Sequence, residues 1–252
     1  MNKAFFPFVL FVVSSSLPLA PAAAAEPLPC QPFIGERFTF AVGWEFIEAG
    51  TAEMSYTRLG SNGYRFQTYA KSNSFFDMFK KVRDVMTSEG VCVDGKMQST
   101  LFELKQLENV YRAQKKTEFD WQHGKVKYTH NGEVTHHDVP AGYLDVLDAF
   151  TLARTLDLKP GKEYPLPIFD SKELYDVTVA VEKKTEMVEA PWGGKVECLI
   201  IEPKLKTEGI FSSKGKIRIW LTNDKRRIPL RLTAAIRFGR IVGNLIDYRM
   251  EP

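Results

Sequence analysis

The sequence predicts a mainly β protein, built as a large curved antiparallel sheet or open barrel with one main covering helix at about residues 143–156. Three observations carry that expectation. Apolar and polar residues alternate with period two over most of the chain, as strands half-buried on one face require. Turn dipeptides punctuate the alternating runs: Asp94-Gly95, His123-Gly124, Asn131-Gly132, Gly193-Gly194 and Asn223-Asp224. Only one long segment carries a helical stripe of apolar residues.

The first 25 residues read as a leader. Lys3 supplies a basic start, Ala4 to Leu17 an apolar stretch, and Ala22-Ala23-Ala24-Ala25 the small residues that a signal peptidase accepts before Glu26. The expected product is a periplasmic protein cleaved after Ala25, with residues 26–252 forming a single domain. The apolar stretch falls short of the ~20 residues that span a bilayer. Pro29 before Cys30 departs from the small residue that a lipid-anchor signal wants at that place.

Three cysteines remain: Cys30, Cys92 and Cys198. Cys198 alternates with polar residues in Val196-Glu197-Cys198-Leu199-Ile200 and reads as a small core residue. In an oxidising compartment this leaves Cys30 and Cys92 to pair, with three free thiols as the alternative.

The strands begin with Phe38, Phe40, Val42, Trp44 and Phe46 on one face, followed by a turn at Glu48-Ala49-Gly50. Ala52, Met54 and Tyr56 continue on the return strand. Gly60-Ser61-Asn62-Gly63 turns again into Tyr64, Phe66 and Thr68, which makes a meander. A short helical turn is expected over residues 74–79. Later strands follow Tyr175, Val177, Val179 and Val181, then Ile217, Ile219 and Leu221, then Ile228 to Ile236. The helix rests on Leu144, Leu147, Phe150, Leu152 and Leu156, between Pro140 and Pro160-Gly161.

Charge and motifs exclude more than they assign. Without Lys3, the 34 basic residues become 33 against 31 acidic ones, a net charge of +2 that implies no nucleic-acid partner. His136 and His137 are adjacent on a strand and point to opposite faces, so no metal site is expected there. Neither a Gly-x-Ser-x-Gly elbow nor an activated cysteine motif occurs, and no cofactor and no catalysis are expected. A hydrolase with two carboxylates brought together only by the fold stays open as an alternative.

The reading that fits best is binding of an apolar or amphipathic envelope molecule, an envelope lipid or lipopolysaccharide. Phe75, Phe76 and Phe79 form a hydrophobic gate, Trp44 and Trp220 point inward, and Lys80, Lys81 and Arg83 hold an anionic headgroup. Trp220 is out of phase with Ile217, Ile219 and Leu221, which allows it the outer face instead. Two alternatives compete: an assembly factor that pairs with another envelope protein through a sheet edge, and an outer-membrane β-barrel. Against the barrel stand the central helix, charges on both strand faces and the ending Met250-Glu251-Pro252.

Several blocks in order also resemble a known family. These are Gly35-Glu36-Arg37-Phe38-Thr39-Phe40; Lys71-Ser72-Asn73-Ser74-Phe75-Phe76-Asp77-Met78-Phe79-Lys80-Lys81-Val82-Arg83-Asp84; Asp145-Val146-Leu147-Asp148-Ala149-Phe150; and Lys206-Thr207-Glu208-Gly209-Ile210-Phe211 with the run from Gly215 to Pro229. Together they resemble the exported bacterial domain of unknown function 3108, from about Pro32 to Tyr248. The resemblance implies a mostly β envelope protein and brings no catalytic residue. Asn223 stands where that family commonly has Asp, which bears little on the turn.

Overall fold

The computed structural model describes residue 30 and residues 32–205, 216–236 and 239–251. The leader with its cleavage site lies outside the described residues, as does the Lys206–Phe211 block. The first half of the chain is a meander: β1 (Glu36–Trp44), β2 (Ile47–Leu59), β3 (Gly63–Ser72), α1 (Ser74–Asp77), β4 (Arg83–Val93), β5 (Lys96–Glu108), β6 (Tyr111–Asp120), β7 (Lys125–His130) and β8 (Glu133–Asp138). Helix α2 (Val146–Thr155) follows. The second half adds β9 (Glu163–Asp170), β10 (Glu173–Val181), β11 (Glu186–Glu189), β12 (Lys195–Leu205), β13 (Ile217–Thr222), β14 (Pro229–Ala235) and β15 (Arg240–Met250).

All pairings are antiparallel within one sheet, ordered β8-β7-β6-β5-β4-β3-β2-β1-β15-β14-β13-β12-β10-β9, with β11 beside β12. The last strand therefore inserts beside the first, with Glu36 opposite Met250 and Trp44 opposite Ile241. The two terminal strands, β8 and β9, meet through side chains instead of a ladder. His137 of β8 touches the ring of Phe169 in β9, and Phe119, Trp121, Tyr143 and Val139 fill the seam around it. Leu144 forms a parallel bridge to Ile168, which covers part of the β9 edge.

The sequence places the first reversal three residues too late. β1 and β2 turn over Glu45-Phe46, where Trp44 pairs with Ile47 and Glu45 takes a φ of 53°. Phe46, expected to point inward, is the tip of the hairpin and 95% exposed. Gly50, expected in a turn, lies inside β2. A Cβ there would come within 2.0 Å of the Lys71 carbonyl oxygen, so the close approach of β3 demands glycine.

Helix α2 covers the sheet from inside its curve. Along it, Asp145, Asp148, Thr151 and Arg154 recur every three residues and are all buried. Successive members reach successive strands: Asp148 touches Tyr64, Ser88 and Ser99 on β3, β4 and β5; Thr151 bonds Tyr56 on β2; and Arg154 meets Glu36 on β1. Apolar contacts fill the rest, among them Phe150 stacked on Phe66 and Phe66 on Tyr56.

The two ends of the barrel differ. At one end a disulfide joins Cys30 to Cys92, with Cα atoms 5.8 Å apart, and Phe33 lies 3.7 Å from the Arg154 guanidinium, sealing the interior there. This is the closed end. The other, open end carries the β1–β2 and β5–β6 hairpins, α1 and the β14–β15 connection. Among the described residues, no helix is long and apolar enough to cross a membrane.

Candidate functional site

The inward faces of β1, β2, β3 and β15 continue past the buried core to the open end. On β1 the inward residues are Phe38 and Phe40, which are buried, then Val42 and Trp44, which line an open cleft. Ala70 and Ser72 from β3, Ile241 from β15, Val82 and Phe76 complete a mouth of about 410 Å³. Its wall is overwhelmingly apolar, and Lys80 stands at its border.

Helix α1 is fixed over this mouth by its own caps. Asn73 accepts the Phe76 N–H at 2.9 Å, and its side-chain amide donates to the Glu48 carbonyl. Asp77 takes a two-pronged bond from Arg83, at 3.0 and 2.7 Å, and a further bond from the Ser72 hydroxyl. Those donors hold the Asp77 carboxyl below its ordinary pKa, the Arg83 bond contributing most.

The gate is thus partly assembled. Phe76 lines the mouth, whereas Phe75 and Phe79 face solvent and pack edge to face on each other at 5.5 Å. Trp44 reaches the mouth. Trp220 does not: it is buried elsewhere on β13, where its indole N–H donates to Glu186 at 2.9 Å and Arg231 lies over its ring. The cations also part company. Lys80 sits 2.6 Å from Glu108, Lys81 is exposed, and Arg83 is committed to Asp77, which removes it as a headgroup ligand.

A second constellation, not anticipated from the sequence, lies beneath α2. Ser88 Oγ stands 2.7 Å from Asp145 Oδ2 and 2.9 Å from Asp148 Oδ1. A hydroxyl carries one hydrogen and cannot donate to both. Asp148 already receives Ser99 at 2.6 Å and Tyr64 at 2.8 Å, so it is the carboxylate. Asp145 caps α2 with Oδ1, which accepts from Leu147 and Asp148, and its other oxygen carries the proton that Ser88 accepts. Burial, and then the charge of Asp148, push the Asp145 pKa well up; burial raises Asp148 as well, opposed by its three donors. Two coupled acids of this kind often mark an active site. Here both are buried and every oxygen is occupied within the core, so the pair seats the helix.

Cys198 is a free thiol in the core, its pKa pushed up to about 11 by burial. The histidines lie apart. His123 bonds Asp120, and His137 bonds Thr135 within β8.

No curated protein matches the sequence. Among solved structures the chain is similar to a beta-barrel-like protein of domain of unknown function DUF1849 from Brucella abortus. The TM-score is 0.60 at 13% identity, over 87% of this chain and 99% of that one, which is a likeness of fold. The family model for a protein of unknown function, DUF3108, matches residues 39–246. That span runs from β1 into β15 and takes in both the mouth and the buried acids, and the chain belongs to the DUF3108 family.

Proposed function

We propose that this is an exported envelope protein that binds without catalysis, holding the apolar part of an amphipathic molecule in the open mouth of its barrel. One observation carries the reading. The lumen is filled by α2 at the closed end, yet at the open end it leaves about 410 Å³ walled by Val42, Trp44, Ala70, Phe76 and Ile241. Ligand pockets are typically about 300–1,000 Å³ and mostly apolar with a few polar groups. Lys80 at the rim is placed to meet an anionic head, in exchange for Glu108. The leader read from residues 1–25 supports an envelope location.

Native mass spectrometry of protein purified gently from its own envelope tests this, together with titration by a fluorescent fatty acid. A lipid-mass adduct and saturable probe binding are expected, both weakened by Ala70→Phe, which fills the mouth. Absence of both in the wild type overturns the reading. Fractionation checks the location: recovery in detergent-extracted outer membrane alone removes it.

The assembly-factor reading has one observation in its favour, the outer edge of β8, which pairs with no further strand among the described residues. That edge is short and ends in His136-His137-Asp138, features that blunt strand addition.

A further inference from the structure

Two hairpin tips beside the mouth differ in chemistry from the other turns of the sheet. At the closed end the connections read Gly60-Ser61-Asn62, Asp94-Gly95 and Asn223-Asp224-Lys225-Arg226-Arg227, which are polar turn residues. At the open end the β7–β8 and β9–β10 turns are polar as well, Asn131-Gly132 and Ser171-Lys172, whereas the β1–β2 and β5–β6 hairpins that flank α1 carry large apolar residues. Phe46 follows Glu45, and Val110 follows Asn109; both are 95% exposed. Either tip packs against almost nothing, so the fold itself gives no reason for an apolar side chain there.

These tips form one surface because α1 ties the hairpins together. On one side the Asn73 N–H donates to Ala49 and its side chain to Glu48, next to the Phe46 turn. On the other side Asn109 donates its N–H to the Lys81 carbonyl and accepts the Lys81 N–H, next to the Val110 turn. Between them stand Phe75, Met78 and Phe79, all exposed, and Ile236, just past the end of β14, borders the mouth. Exposed patches of this kind mark contact with a membrane or another protein.

We propose that the open end docks on a lipid surface, with Phe46, Phe75, Met78, Phe79 and Val110 entering the headgroup and acyl boundary. The choice of a lipid surface over a protein rests on the reading of the mouth. The apolar tips surround an apolar cleft, so a chain leaving the bilayer passes into the protein without crossing water. Of the nearby charges, Lys80 is paired with Glu108, Arg83 with Asp77 and Arg240 with Glu45, while Lys81 is exposed and Arg112 donates to the Asn109 and Tyr111 carbonyls. Docking is therefore driven mainly by apolar burial and persists in high salt, with Lys81 and Arg112 adding a modest salt-dependent preference for anionic lipid.

Flotation of the chain from Glu26 onward, which retains every described residue, with vesicles of phosphatidylcholine alone or mixed with phosphatidylglycerol tests the proposal. Wild-type protein is expected to float in low and in high salt. Phe46→Ser with Val110→Ser is expected to float about tenfold less, from the lost burial of two large side chains. Met187→Ser, 59% exposed on β11 away from the open end, serves as control and leaves flotation unchanged. Circular dichroism and melting show whether each variant is folded. Equal flotation of tip variant and wild type overturns the proposal, as does failure of the wild type to float. Sedimentation showing that the tips join two copies, without vesicle binding, also overturns it. Neither tip lines the mouth, so fatty-acid binding is read separately. Probe binding without flotation removes docking and leaves the mouth; flotation without probe binding does the reverse.

Discussion

Arg154 Nη1 lies 2.8 Å from Glu36 Oε2, and both side chains are completely withdrawn from water. The guanidinium also donates to the Arg226 and Arg227 carbonyls and faces the rings of Phe33 and Phe38, while Tyr248 donates to the other Glu36 oxygen. One residue of α2 thus holds the N-terminal segment, β1, the β13–β14 turn and β15.

Arg154→Met leaves a buried carboxylate without its partner and is expected to destabilise by about 3–5 kcal/mol. Adding Glu36→Gln to the same chain recovers most of that loss. Urea unfolding of the two variants measures both effects.

The buried acids give a pH dependence with a definite sign. Asp145 holds its proton in the fold and releases it on unfolding, where its pKa is near the ordinary 3.8. Stability therefore declines as pH rises from about 4 toward the raised folded value, by up to ~1.4 kcal/mol per pH unit. Asp145→Asn supplies the same donor to Ser88 and the same cap acceptor. It is expected to flatten this decline and to raise stability at neutral pH by about 1 kcal/mol or more. Asp148→Asn sets an amide against three donors and costs about 3 kcal/mol. Denaturant midpoints between pH 4 and 8 separate the two.

Breaking the disulfide by Cys92→Ser loosens the segment that covers Arg154. A loss of about 2–4 kcal/mol is expected, and Cys198 becomes open to alkylation at lower denaturant. Non-reducing peptide mapping of the wild type should join the Cys30 and Cys92 peptides.

Gly50→Ala drives a methyl group into the Lys71 carbonyl. The expected cost is about 2 kcal/mol or more, since backbone must move. Thermal melting reads it directly, with Gly95→Ala, where a Cβ meets nothing, as the comparison for a turn whose strain lies only in its positive φ.

The meander was legible because alternation survives wherever one face is buried: Phe38 and Phe40 on β1 and Tyr64 and Phe66 on β3 are both where the period puts them or adjacent to it. Turn positions were less so. Gly50 looks like a turn residue, and the glycine answers a strand crossing too close for a side chain, a spatial fact. The polar stripe of α2 escaped because a helix with Leu147 and Phe150 suggests a dry face and a wet one. The spacing Asp145, Asp148, Thr151, Arg154 was present as a signal, and in a helix enclosed by a sheet such a stripe needs partners. The mouth was half legible: Trp44 and Phe76 arrive, while Trp220 and Arg83 are diverted to Glu186 and Asp77.

The strand that joins the two halves of the sheet, β15, follows every other described strand along the chain. Until β15 emerges, β1 and β14 each present an open edge, and no ladder connects the meander to the C-terminal strands. Pairings between the two ends of a chain form slowly, because the loop they close must be ordered first. A chain of this topology keeps its sheet incomplete until β15 is available to pair, so the export proposed above would deliver an unfolded chain whose assembly waits for that one strand.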